Sequence, residues 1–121
     1  MSAESVLIRK LLAKVAAPDV KLWSNATSKL WAGHYEGRTR AGHVVLSHAT
    51  VVSAGLCEGS SDLVGLVGPH GRFIGPEVKT PGVALEPHQR RWIEVVRSLG
   101  GVAGEVRTEH DLRALIEEAR R

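Results

Sequence analysis

Cysteine is nearly absent from this 121-residue chain, where Cys57 stands alone. A single thiol excludes an intrachain disulfide and any zinc site built on several cysteines, and it suits a reducing compartment. Long apolar runs are missing as well. The opening MSAESVLIRK has none, and no stretch approaches the roughly 20 residues that a bilayer-spanning helix needs, so no membrane segment is expected. Internal repeats, low-complexity tracts and base-reading motifs such as a helix-turn-helix are also lacking. His34, His43 and His48 match no compact zinc spacing and have no cysteine partners, so they are expected as core or surface residues. There is no acidic excess: the net charge is +3 and the pI about 9.4. That mildly basic balance is compatible with a polyanionic partner. A hydrophobic content of 43% suffices for the core of one small domain covering residues 1–121.

Against these absences stands a clear order of elements. Ser2 to Ala16 reads as a helix with Ser2 as its cap, and Ile8, Leu11, Leu12 and Val15 form an apolar stripe at helical spacing. Glu4 lies on the same face, where a carboxylate needs a partner or the helix dipole. Trp23 and Trp31, within Val20 to Gly33, are expected as core or dimer contacts. The glycine-rich Gly33 to Gly42 reads as a hairpin tip or loop, carrying Arg38 and Arg40 as candidate phosphate contacts. His43 to Leu56 is rich in Val and Thr and reads as a strand interrupted near Ala49. After the loop Thr80 to Leu85, a helix starts at Glu86-Pro87 and stops at Gly100-Gly101, with Trp92, Ile93 and Val96 as its apolar face. Gln89 precedes that face at helical spacing, and Arg90 points elsewhere as a further candidate phosphate contact. Gly101 to Arg107 reads as a strand parallel to the one before the helix, because a helical crossover joins them. Thr108 and Asp111 form a capping box for a last helix with Leu112, Leu115, Ile116 and Ala119 as its stripe.

The stretch with the most chemistry is Asp62 to Lys79. DLVGLV and RFIGPEVK read as two strands joined by the turn Pro69-His70-Gly71. Alternation puts Glu77 and Lys79 on one face and Val78 on the other. If the strands pair as a hairpin, Asp62 lies near Glu77. Two carboxylates beside an ammonium suit a hard divalent cation such as Mg²⁺ or Mn²⁺. A surface hairpin with scattered charges is the alternative on spacing alone.

The joint pattern is more specific. Gly55-Leu56-Cys57-Glu58-Gly59-Ser60-Ser61-Asp62-Leu63-Val64-Gly65, Gly71-Arg72-Phe73, Glu77-Val78-Lys79-Thr80, Gln89 and Gly100-Gly101 together resemble the VRR-NUC domain, a branch of the PD-(D/E)xK nuclease superfamily. The resemblance covers the chain from about Leu22 to Leu115. It implies an α/β fold with a restriction-endonuclease-like mixed β-sheet flanked by helices (αβββαβα). It implies a Mg²⁺- or Mn²⁺-dependent hydrolase of DNA phosphodiester bonds, selective for a junction or flap. Asp62 and Glu77 would be metal ligands, joined by the main-chain carbonyl of Val78 and by Glu4 on the first helix. Lys79 would be the catalytic lysine, with Gln89 orienting water or Lys79. DNA would be the substrate, with Arg38, Arg40 and Arg90 against its phosphates. A homodimer with no organic cofactor is implied, in the cytoplasm of a bacterium or a phage-infected host cell. Pro76 departs from the pattern: it lacks an N–H, so the ladder is expected to break or bulge just before Glu77. The competing expectation is a DNA-binding module that kept the fold and lost the chemistry.

Overall fold

The computed structural model describes residues 2–121. Helix α1 (Ala3–Val15) begins where the Ser2 hydroxyl accepts the Ser5 N–H at 3.1 Å, satisfying one of the open donors of the first turn. The strands are β1 (Val20–Ser24), β2 (Ser28–Arg38), β3 (Val44–Ala54), β4 (Leu63–Val67) and β5 (Arg72–Val78). Helix α2 (Pro87–Ser98), strand β6 (Val102–Val106) and helix α3 (Glu109–Arg120) follow.

Four strands form the main sheet in the order β1-β4-β5-β6. β1 and β5 run antiparallel to β4, and β6 runs parallel to β5 because α2 carries the chain back between them. One face of this sheet is covered by α1 and α3. Leu63, Val67, Ile74, Val78, Val102 and Val106 meet Leu11, Val15, Leu112, Leu115, Ile116 and Ala119 there in one continuous core. The reciprocal hydrogen bonds between Thr108 and Asp111 fix the start of α3. On the opposite face α2 lies close to the sheet. A Cβ at Gly75 would sit 2.5 Å from the Trp92 ring, so glycine sets how near the helix approaches. Trp92, Ile93 and Val96 are half-buried rather than buried, because α2 covers its face of the sheet alone.

The expected αβββαβα order is present in α1, β1, β4, β5, α2, β6 and α3, but its first strand is not the expected one. β1, not His43 to Leu56, pairs with β4, with Trp23 opposite Val64. Val20 and Leu22 of β1 pack against the core, which gives that strand an inward face. β3 instead pairs with β2 in a separate two-stranded sheet inserted between β1 and β4. The glycine-rich stretch Gly33 to Gly42 is mostly part of β2. Its tip is closed by Thr39 N–H to His43 O and Gly42 N–H to Thr39 O, both 2.9 Å. The expected interruption near Ala49 is a register shift between the Ala32 and His34 pairings, with His48 at φ +52°.

Candidate active site

The hairpin of β4 and β5 brings the start of one strand beside the end of the other. Asp62 immediately precedes β4, Glu77 and Val78 end β5, and Lys79 follows directly. The Val78 N–H donates to Asp62 Oδ2 at 2.9 Å, and the Lys79 N–H donates to Val106 O at 2.9 Å. Successive N–H groups of a strand point to opposite sides. Val78 therefore addresses the β4 side and Lys79 the β6 side.

Pro76 fits this alternation. Its missing N–H falls on the β4 side, where the pairing with β4 has already ended at Gly65 opposite Ile74. The parallel pairing with β6 continues unbroken from Ile74 through Pro76 opposite Gly104 to Val78. The expected bulge before Glu77 is absent. The ladder opens on one side only, and the Asp62 carboxylate takes the next N–H on that side.

Glu77 and Lys79 point to the α2 face. Glu77 is 3% exposed and Lys79 7%, with Lys79 Nζ 3.7 Å from Glu77 Oε1. Gln89 reaches this pair from the first turn of α2. Its Nε2 donates to Glu77 Oε1 at 3.2 Å, while its Oε1 accepts the Glu86 N–H at 2.9 Å. The same amide thus caps the helix and fixes one carboxylate oxygen. The other oxygen, Glu77 Oε2, is buried without a hydrogen-bond partner. Burial first, then the neighbouring Asp62 carboxylate, push the Glu77 carboxyl up to about 8, although the Lys79 ammonium pulls it down. Glu4, in the first turn of α1, belongs to the same cluster. Its carboxyl is raised by burial and by the Asp62 carboxylate, while Lys79 lowers it.

Asn25 is a contributor whose role sequence reasoning did not identify. Its Nδ2 donates to Ser60 Oγ at 2.9 Å and Ser61 O at 2.8 Å, and its Oδ1 accepts the Leu56 N–H at 3.0 Å. Its own N–H donates to Asp62 O at 2.7 Å. This buried side chain pins the turn that delivers Asp62. The one available signal is its place in Leu22-Trp23-Ser24-Asn25, just after a strand. Arg107 was likewise missed. It donates to Thr80 O at 2.6 Å and also to Val83 O, holding the segment that follows Lys79.

The arginines are not brought to the carboxylates. Arg38 donates to Gly42 O at 2.8 Å at the far end of the β2–β3 pair, and Arg40 lies in the tip turn beside it. Arg90 is exposed on α2, next in sequence to Gln89. Trp23 and Trp31 are exposed rather than core residues, because neither β1's outer side nor β2 is covered by another element.

A divalent cation fits this donor set. Among the described residues no group of three or more His, Cys, Asp or Glu stands ready-formed for a metal. Mg²⁺, however, is ordinarily held by one or two carboxylates, with water and substrate phosphate completing its shell. Two hard carboxylates, one with a buried oxygen lacking a partner and a raised proton affinity, are what a cation would satisfy.

Comparison with known proteins identifies the family. A family model for the VRR-NUC domain matches residues 43–109, more than half of the chain. Asp62, Glu77, Lys79, Gln89 and Arg90 lie inside that match, and Glu4, Asn25, Arg38 and Arg40 outside it. No curated protein matches the sequence. No helix of the described residues is long and apolar enough to cross a membrane. With a mixed sheet flanked by helices and a match over residues 43–109, the chain belongs to the VRR-NUC family of nuclease domains.

Proposed function

We propose that this chain is a Mg²⁺- or Mn²⁺-dependent deoxyribonuclease. Asp62 and Glu77 would hold the metal, with the main-chain carbonyl of Val78 and with Glu4 from α1. The observation that carries the reading is the buried Glu77 Oε2, without a partner beside a second carboxylate. A bound divalent ion would supply Lewis acidity toward the scissile phosphate and acidify a water molecule.

The remaining roles belong to the chain itself. The Lys79 ammonium, held 3.7 Å from Glu77, faces the developing negative charge of the phosphate and stabilises it. Gln89 holds Glu77 Oε1 in place and has an amide positioned to orient water. Arg90, exposed on α2 one residue beyond Gln89, would contact phosphate. Arg38 and Arg40 would take phosphates further along the duplex. Without a base-reading motif, selectivity would rest on DNA shape, with a junction or flap as the preferred target. A cytoplasmic setting, in a bacterium or a phage-infected host cell, is part of the proposal.

The test is cleavage of supercoiled, linear, flap and four-way-junction DNA with Mg²⁺ or Mn²⁺, beside Glu77→Ala. Metal-dependent cutting that disappears in a folded Glu77→Ala protein is expected. Cutting that persists in that variant removes the site. A folded wild-type protein that binds DNA but never cuts it would instead be a binding module of the same fold.

A further inference from the structure

A cleft of about 630 Å³ opens between α2 and the turn that leads into Asp62. Glu58 lines it from the turn, and His88, Arg91, Trp92 and Val95 line it from the helix. These helical residues recur at spacings of three and four, so they share one side of α2. Both walls are firmly placed. A Cβ at Gly59, where φ is +87°, would sit 2.6 Å from His88 O, so the turn presses directly on the first turn of α2. The tip of the Trp92 ring lies over Gly75, and a Cβ there would also sit 2.9 Å from Ser61 Oγ. Phe73 meets the same ring edge-on, with centroids 6.1 Å apart. Trp92 is thus pinned between the sheet and the turn, and its remaining surface lines the cleft.

The cleft adjoins the candidate active site. Gly75 and Glu77 lie on one face of β5 by alternation, two residues and roughly 7 Å apart along the strand. Trp92 covers Gly75, and on the opposite wall Glu58 lies on the turn that ends at Asp62. A strand whose phosphate rests at Asp62 and Glu77 therefore has its neighbouring nucleotide within reach of the cleft.

We propose that this cleft receives the base of an unpaired nucleotide adjoining the scissile phosphate, with guanine the best fit. The chemistry of the walls selects a base over a phosphate. His88 is engaged with Glu86, Nε2 to Oε2 at 3.3 Å, whereas neither Glu58 nor Arg91 forms an ion pair among the described residues. A phosphate in the cleft would face the Glu58 carboxylate and be repelled. The edge of a base brings N–H donors to that carboxylate instead, and the Trp92 ring offers it a stacking surface. Guanine presents two donors side by side on its Watson–Crick edge, N1–H and the 2-amino group, which match the two oxygens of one carboxylate. Arg91 would take the phosphate of the same nucleotide. A base inside a duplex has this edge paired and its faces stacked, so only an unpaired or extruded nucleotide enters. The proposal rests on the nuclease reading and adds to it a base-dependent preference that duplex shape does not supply.

The experiment is binding of the full chain, at low salt and in EDTA so that nothing is cut, to a forked duplex with unpaired arms. Each unpaired position in turn is made guanine, thymine or abasic. The expected result is one position where loss of the base weakens binding by about 5–100-fold, the range for a base stacked on an aromatic ring, and where guanine binds more tightly than thymine. Trp92→Leu should remove the abasic penalty, and Glu58→Ala should remove the guanine preference alone. The inference is overturned if no position behaves in this way, if the penalty is unchanged in folded Trp92→Leu, or if the preference survives in folded Glu58→Ala. Should Trp92→Leu fail to fold, photocrosslinking of the wild type to 5-iodouracil at that position decides. A crosslink on Trp92 supports the cleft, and a crosslink elsewhere, or none, overturns it. Cleavage is scored separately with Mg²⁺ or Mn²⁺. A chain that cuts without any base-dependent position loses only this cleft, and one that shows the position but never cuts loses only the nuclease reading.

Discussion

Replacing Glu77 by Gln should stabilise the metal-free protein while abolishing its proposed activity. In the fold the Glu77 carboxyl titrates near 8, against an ordinary value of 4.5, chiefly through burial and the adjacent Asp62. Between those values the folded chain keeps a proton that the unfolded chain has released. The unfolded state therefore binds fewer protons, and stability falls as pH rises through this window. At about 1.4 kcal/mol per pH unit the full window gives an upper limit of roughly 4–5 kcal/mol. The buried site relaxes on ionisation, so a loss of about 1–2 kcal/mol between pH 5 and 8 is the working expectation. For a domain of this size that is a fall in Tm of about 3–8 °C. An uncharged amide of the same shape has no such penalty. Thermal unfolding in EDTA across this range should show the wild type losing Tm relative to Glu77→Gln as pH rises. Added Mn²⁺ should raise the wild type at pH 8 and leave the variant unchanged. Parallel pH profiles for the two proteins in EDTA would refute the reasoning, because the buried carboxyl would then carry no ionisation penalty.

Two further outcomes follow from the same geometry. Lys79→Met should keep Mn²⁺-induced stabilisation but reduce single-turnover cleavage by about 10²–10³-fold, the usual effect of removing one donor to a transition-state charge; cleavage within a factor of about three of wild type would remove its role. Asn25→Ala should lower stability by about 1–3 kcal/mol in urea unfolding, because Leu56 N–H and the Ser60 hydroxyl lose a buried partner, and should weaken Mn²⁺ binding through the loosened Asp62 turn.

The parts of the fold that announce themselves locally were legible in the sequence. The Ser2 cap, the Thr108–Asp111 box, Pro87 at a helix start and the Gly100-Gly101 stop place all three helices. DLVGLV and RFIGPEVK around a Pro-His-Gly turn give the β4–β5 hairpin. The resemblance then singled out Asp62, Glu77 and Lys79, and the hairpin register brings them together. Strand partnership was not legible. β3 has the composition of a sheet strand, but nothing in its alternation says that β2 will be its partner and the main sheet will not. β2 itself mixes Trp, Gly, His and Tyr without a one-sided period, because neither of its faces is covered within the chain. Asn25 was obscure for a related reason: its partners lie 31–36 residues ahead, and only the folded turn makes them neighbours.

Pro76 has a consequence for how the hairpin finds its alignment. A β-ribbon can slide in steps of two residues and keep its inward and outward faces, so hydrophobic pattern alone does not exclude such slips. An imino acid near the end of β5 discriminates among them. Any alignment that sets residue 76 against a carbonyl of β4 forfeits a hydrogen bond, whereas the observed one ends the pairing at Ile74 and forfeits nothing. The residue that looked like a defect beside the carboxylates thus acts as a stop on zippering. It leaves the two strands splayed at their open end, where Asp62 can turn its side chain inward to Val78.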